Sequence, residues 1–354
     1  MPDDIELVRG LVAIPSVSRE EGDAVEWLVA RMAERGFRAS VDDAGNAVGE
    51  IGDGPRHVVL LGHIDTVPGE IAVRVEDGEL IGRGAVDAKG PLAAFVAAAT
   101  ERIAGLRITV VGAVEEESPT SAGARHRATL PAPDWCVIGE PSGWDAATVA
   151  YKGRLALRLS LARDARHGAA PGPTITEEAL SVWGLVKAEA ELRTIDATGF
   201  AKLDCRLEAI DAGASDGAIE RGTMRIGYRI PPGIATADLE DAVRKIARGH
   251  GGDAKVTLER MASEEPVRTP RTTPLARAFV GAIADSGGQA TFKVKSGTSD
   301  MNILAPAWGC PMVAYGPGDS RYDHTPLERL RLSDYTKAIA VLRAVLRRAA
   351  DTSI

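Results

Sequence analysis

The apolar run at residues 108–114 limits the fold more than any other stretch of this 354-residue chain. A strand without polar alternation is buried on both faces, as happens at the centre of a parallel sheet covered by helices. This strand runs into Glu115, Glu116 and Glu117. In sheets of that kind ligands bind in the crevice beyond the C-terminal strand ends. The three carboxylates are thus candidates for chemistry as well as for a solvated turn. Two other runs repeat the pattern: residues 57–61 lead through Gly62 to His63 and Asp65, and residues 135–139 lead to Glu140 and Pro141. His63 and Asp65 lie two apart and share a face of an extended backbone. The pair reads as a carboxylate orienting a metal-binding imidazole, or as a loop-stabilising aspartate beside a hydrogen-bonded histidine.

Around these runs the chain alternates helix and strand. Apolar residues at helical spacing predict helices over 4–13 and 21–34, the second stopped by Gly36, with short strands over 37–41 and 47–51. The segment LIGRGAVDAKGPLAAF places Asp87 just before an Ala-rich helix. Its Gly82-Arg83-Gly84 lacks the third glycine of a dinucleotide loop and precedes an acidic residue that would repel phosphate. From about Lys152 the texture changes to alternating strands over 155–161, 203–210, 223–230 and 255–259, with helices over 177–193 and 237–248. The order β-α-β-β-α-β is the ferredoxin-like split motif, able to fold as an inserted domain. The length also suits two domains. The expectation is an α/β catalytic domain made of residues 1–151 and 267–354, with 152–266 inserted. The returning segment carries a helix over 274–285, strands near Phe292 and Val313, and a closing helix over 332–349. Its loops SGTSDMN (296–302) and GPGDSRYDHTP (316–326) do not read as core.

A formal net charge of -8 disfavours nucleic acid as the partner. The acidic start MPDDIE is no signal peptide, and the most apolar helical stretch, 91–99, falls far short of the ~20 residues that span a bilayer. A cytoplasmic protein without membrane contact is expected. Cys136, Cys205 and Cys310 have apolar surroundings and no CxxC spacing, which predicts buried free thiols. Chemistry is left to histidines and carboxylates: His63, Asp87, Glu115 to Glu117, Glu140 and His324, each at a strand end or in a loop. Any one of them alone is more often structural. Two imidazoles with three or more carboxylates suit two divalent cations such as zinc, cobalt or manganese, with one carboxylate bridging ions ~3.5–4 Å apart.

Five motifs in order, GHIDTVP, GRGAVDAKGPLAA, EEES, GEPSG and YDHTP, resemble those of the zinc aminoacylase and carboxypeptidase G metallohydrolases, which include acetylornithine deacetylase and succinyl-diaminopimelate desuccinylase. The resemblance spans essentially the whole chain. It implies a phosphorylase/hydrolase-like zinc-peptidase domain with an inserted ferredoxin-like lid that forms a homodimer, and two divalent metal ions, zinc or cobalt. It further implies His63 and Glu140 as ligands of one metal, Glu117 and His324 of the other, Asp87 as the bridge with a cis bond to Ala88, and Asp65 orienting His63. Glu116 becomes the base that takes a proton from water during amide hydrolysis and passes it to the departing amine. Matching forward to Gly123 gives this register; shifted by one, Glu115 is the base and Glu116 the ligand. His167 in ARHGA is similar to a lid histidine that reaches the partner subunit's site to stabilise an oxyanion. Arg229 in YRIPPG matches a lid arginine near substrate, or else forms a strand-end ion pair. Ser296, Gly297, Thr298 and Asn302 fall in the family's substrate loop, where desuccinylases have an arginine at the position of Asn302. KSGTSDMN and GAVEEE look most like the lysine-biosynthesis branch, whose members release lysine or ornithine from the acidic amino-group carrier protein LysW. An acetyl-lysine or acetylornithine deacetylase needs the same metal centre, and a metal-free scaffold on the same fold is the non-enzymatic alternative.

Overall fold

The computed structural model describes residues 2–351. It divides into two compact units, one comprising Tyr151–Arg268 with Lys295–Thr298 and the other the remainder of the described chain.

The larger unit is built on a mixed sheet. Its strands run in the spatial order Arg38–Val41, Ala47–Gly52, Leu106–Ala113, Arg56–His63, Trp135–Gly139, Met312–Ala314 and Ala146–Tyr151. The central pairs are parallel: Leu106–Ala113 with Arg56–His63, Arg56–His63 with Trp135–Gly139, and Trp135–Gly139 with Met312–Ala314. The expected central strand is therefore where its composition puts it, with both faces buried from Ile108 onward. Register sets where these strands stop. His63 pairs with Ala113 and Gly62 with Gly139, so three neighbouring strands end level and release their next residues on the same side.

The helix Lys89–Ala99 is buried along its whole length and packs on these strands. Close approach requires the strand glycines: a Cβ on Gly139 would stand 2.8 Å from the Gly62 Cα and 2.9 Å from the Phe95 ring. The helix is thereby pressed against the strand ends, and the Asp87 turn that begins it is brought to their edge. The Asp87–Ala88 bond is cis.

In the smaller unit a four-stranded antiparallel sheet takes the order Asp204–Ser215, Ile219–Ile230, Gly153–Asp164, Lys255–Glu264. The helices Ile175–Arg193 and Thr236–Gly249 supply its apolar cover, centred on Leu157, Leu159, Val182 and Val243.

Several elements lie outside the sequence expectations. The fully buried strand Ala146–Tyr151 and the helices Ala122–Ala128 and Met301–Trp308 are additional. So is a small antiparallel sheet of Arg74–Glu76, Glu79–Ile81 and Arg329–Arg331. These pieces are too short to show a period, and the last needs partners some 250 residues apart. Two expectations are corrected. Ser299 to Asn302 are buried, because Asp300 and its neighbours start the helix Met301–Trp308 instead of forming an open loop. Cys310 is only partly buried, whereas Cys136 and Cys205 are buried; all three are free thiols. No helix among the described residues is long and apolar enough to cross a membrane.

Candidate metal centre

His63 ends its strand and is almost wholly buried. Its Nδ1–H donates to the main-chain oxygen of Asp65 at 2.9 Å, with the Asp65 carboxylate farther off at 3.6 Å. A proton held on Nδ1 leaves the Nε2 lone pair free to bind an electrophile. That Nε2 lies 3.2 Å from Asp87 Oδ1. The second oxygen of the same carboxylate, Oδ2, lies 3.0 Å from His324 Nε2, and Glu117 Oε1 is 2.8 Å from that nitrogen. One carboxylate thus faces two imidazoles with one oxygen each, the disposition a bridging ligand requires. Two triads, His63/Asp87/Glu140 and Asp87/Glu117/His324, each offer ligand atoms within 4.8 Å of one another. A third, His63/Glu116/Glu117, meets the same limit. The donors are imidazole nitrogens and carboxylate oxygens, a set that fits borderline divalent cations.

The three consecutive glutamates separate by direction. Glu115 has a left-handed backbone (φ 63), and its carboxylate accepts from the hydroxyls of Thr120 and Ser118, with Arg19 at 3.7 Å. Glu116 and Glu117 turn inward. What holds them is Asp65: its Oδ1 accepts the Glu116 N–H and its Oδ2 the Glu117 N–H, both at 3.0 Å, while Ser18 Oγ donates to Oδ2 at 2.6 Å. Asp65 is fully buried, so these three donors supply its solvation.

The electrostatics register a shortage of positive charge. Loss of water pushes the Glu116 carboxyl well above its ordinary range; the charge of His63 opposes this, and Glu140, Asp300 and Glu117 push it further up. Asp87 and Glu117 raise His324 to about 10 against the effect of its partial burial. Burial alone would depress His63, yet Asp65 and Asp87 hold it well above its usual value. Protons are retained here because carboxylates outnumber cations, the same condition that draws in divalent metal ions.

The profile of peptidase family M20/M25/M40 matches residues 59–348. The chain belongs to this family. As an M20 protein it is a hydrolase of a metal-dependent group. It is similar to a [LysW]-lysine hydrolase of Deinococcus radiodurans, at 45% identity over 97% of this chain and 96% of the relative. A putative [LysW]-lysine/[LysW]-ornithine hydrolase of Thermococcus kodakarensis is 40% identical over 97% of this chain and 91% of its own length. Among solved structures, an M20 family metallo-carboxypeptidase from Sulfolobus solfataricus superposes with a TM-score of 0.80 at 16% identity, covering 99% of this chain and 100% of that one. A dinuclear metal-binding M20 peptidase from Bacillus subtilis gives 0.76 at 15% identity, covering 99% of each chain.

The remaining expected residues of this M20 chain have other placements. Asn302 is buried, and its Oδ1 accepts the Ser299 N–H at 2.9 Å, closing the turn before the helix Met301–Trp308. Ser296, Gly297 and Thr298 belong to the smaller unit, the first two exposed. His167 lies there too, on an exposed loop, where its Nδ1 accepts the Ala169 N–H. Arg229 stands across from Asp204 on the antiparallel sheet, but Asp204 is taken by Lys152 at 2.7 Å. The Nη1 of Arg229 is buried without a hydrogen-bond partner among the described residues.

Two residues of the centre were not expected from the sequence. Asp300 is buried, and burial lifts its carboxyl to about 7, with the charge of His63 opposing and Asp65 and Glu140 adding. Glu328 is fully buried, and its carboxylate accepts main-chain N–H groups of the Asp87 turn. The only signal for it was a glutamate four residues after His324, in a stretch that otherwise reads as surface loop.

Proposed function

We propose that this chain hydrolyses the amide that joins lysine, or ornithine, to the acidic carrier protein LysW. The supporting observation is its 45% identity over 97% of its length to a [LysW]-lysine hydrolase. In this reading His63 and Glu140 hold one divalent ion, Glu117 and His324 the other, and Asp87 both, with zinc or cobalt suited to the donors. The pair of ions, when bound, supplies Lewis acidity for the scissile carbonyl and acidifies water. Glu116 is the proton carrier: its carboxylate accepts a proton from water and returns it to the departing amine. Its direction, opposite to that of Glu115, supports this register. Asp65 fixes the turn that presents Glu116 and Glu117. The smaller unit serves as a lid and dimer-forming domain, from which His167 reaches the partner subunit's site and Arg229 meets the substrate. Ser296, Gly297, Thr298 and Asn302 shape the substrate loop.

An acidic protein substrate calls for cationic side chains near the opening. Arg271, Lys293 and Arg321 in the larger unit, and Arg268 and Lys295 in the smaller, are the candidates. Arg321 shares its charge with Asp319, and Lys293 donates to the Ser142 oxygen at 2.6 Å while keeping its net charge. Exposed charges are screened over ~8 Å at physiological salt and act chiefly on encounter rate. The test is kcat/KM for LysW-linked lysine, acetyl-lysine and acetylornithine across a salt series, with metal content measured alongside. Turnover of the carrier conjugate should fall as salt rises, while the acetylated compounds respond little. Equal responses, or no cleavage of the conjugate, would leave a small-molecule deacetylase.

A further inference from the structure

We propose that Glu328 is a positioning residue of the metal centre: it locks the Asp87 turn to the His324 segment, so that the Asp87 carboxylate stands between the two imidazoles. The inference rests on the assignment of the metal ligands under the proposed function. Glu328 Oε1 accepts the N–H groups of Val86 and Asp87 at 2.9 and 3.0 Å, and Oε2 accepts Arg83 Nη1 at 2.9 Å. The main chain joins the same contact, as the Gly82 N–H donates to the Glu328 carbonyl at 3.3 Å. Arg83 completes the clamp. Its Nη1 also donates to the carbonyl of Thr325, the residue after His324, at 3.2 Å, and its Nε to Gly69 at 2.9 Å.

The clamp therefore joins segments 242 residues apart that carry two of the expected ligands. It does so through main-chain N–H and carbonyl groups. Holding the Asp87 peptide N–H fixes where that residue's side chain departs from the main chain, and tethering Thr325 and Glu328 fixes the stretch just beyond His324. The separations of 3.2 and 3.0 Å from the Asp87 oxygens to His63 and His324 depend on both. A carboxylate suits the position because both of its oxygens face donors, whereas an amide would turn its NH₂ group toward either Arg83 or the Asp87 turn. Glu328 and Val86 are both 0% exposed, so the Val86 N–H has no bulk water to turn to if its acceptor is lost.

The experiment is competition titration of zinc into chelator-stripped, full-length protein with a chromophoric chelator, comparing wild type, Glu328→Gln and Glu178→Gln. Glu178 is also a buried carboxylate, paired with Arg163 in the smaller unit, and controls for generic loss of stability. Glu328→Gln should weaken binding of at least one ion by about tenfold, the lower range for losing a group that orients a ligand. Glu178→Gln should leave both affinities as in wild type. If Glu328→Gln does not fold, Arg83→Lys is titrated instead, since one ammonium cannot reach Glu328, Thr325 and Gly69 together, and a several-fold loss is expected. Wild type binding two ions with the clamp variant matching its affinities overturns the positioning role alone. Equal weakening in Glu178→Gln also overturns it, as a stability effect. Wild type that binds no metal would overturn the metal-centre reading itself.

Discussion

Replacing Asp65 with asparagine tests how the glutamate turn is held. The wild-type carboxylate accepts the N–H groups of Glu116 and Glu117 and the hydroxyl of Ser18 in a site closed to water. An asparagine oxygen can keep one of the two N–H groups. Its NH₂ then faces the other; Ser18 can rotate to accept from it, but a main-chain N–H cannot. The cost is one charge-assisted hydrogen bond, about 1.5–3 kcal/mol, overlapping with one stranded buried donor, about 1–3 kcal/mol, so about 2–4 kcal/mol in sum. Burial by itself would raise the Asp65 carboxyl, yet His63, Ser18 and the Glu117 N–H hold it below its ordinary value. A carboxyl depressed in the folded state contributes stability that is present above its unfolded pKa, ~3.9, and is lost as pH falls through the lower folded value. In metal-free protein the gap between wild type and Asp65→Asn should thus be full at neutral pH and close only below about pH 4. Denaturant unfolding followed by tryptophan fluorescence reads this, because Trp27, Trp135, Trp144 and Trp308 all lie in the unit that holds Asp65. A loss under about 0.5 kcal/mol at pH 7, typical of surface changes, would refute the reasoning. So would a loss of the same size at pH 3, since it would owe nothing to the charge.

Two other outcomes are expected. Glu116→Gln should keep its metal and lose nearly all turnover, whereas Glu117→Ala should lose metal, as measured by metal analysis beside steady-state kinetics; if Glu115→Gln is the variant that keeps metal and stops turning over, the register moves by one residue. Mixing His167→Ala chains with Glu116→Gln chains should restore about one working site per dimer if each His167 serves the neighbouring subunit, and confirmed mixed dimers without restored activity would place its action within its own chain or nowhere.

Much of the centre was legible because it depends on local, periodic features. A strand apolar on both faces has to lie inside a sheet, and level parallel strands release their next residues together, so His63, the glutamate run and Glu140 could be gathered from three strand ends. Asp87 and His324 were candidates by residue type and loop position, motif resemblance alone gave them their roles, and the fold brings both to the same cluster. Other features had no signal along the chain. In an irregular turn neither a period of 2 nor one of 3.6 sets where a side chain points, and only the left-handed backbone at Glu115 and the two N–H groups gripped by Asp65 separate Glu115 from its neighbours. Asp65 meets the His63 ring chiefly through its main-chain oxygen, with the carboxylate 3.6 Å away, and the grip of that carboxylate on the glutamate turn had no signal in the sequence. Asn302 read as an open substrate contact and is buried as a turn-closing acceptor. Glu328 could not be distinguished from a surface glutamate until the fold placed it against Val86 and Asp87. The sequence by itself determined which groups end at the sheet edge, through hydrophobic pattern and spacing. Only the tertiary structure decided which of them face one another and what holds them there, because buried polar groups take whichever partners packing delivers, however distant in the chain.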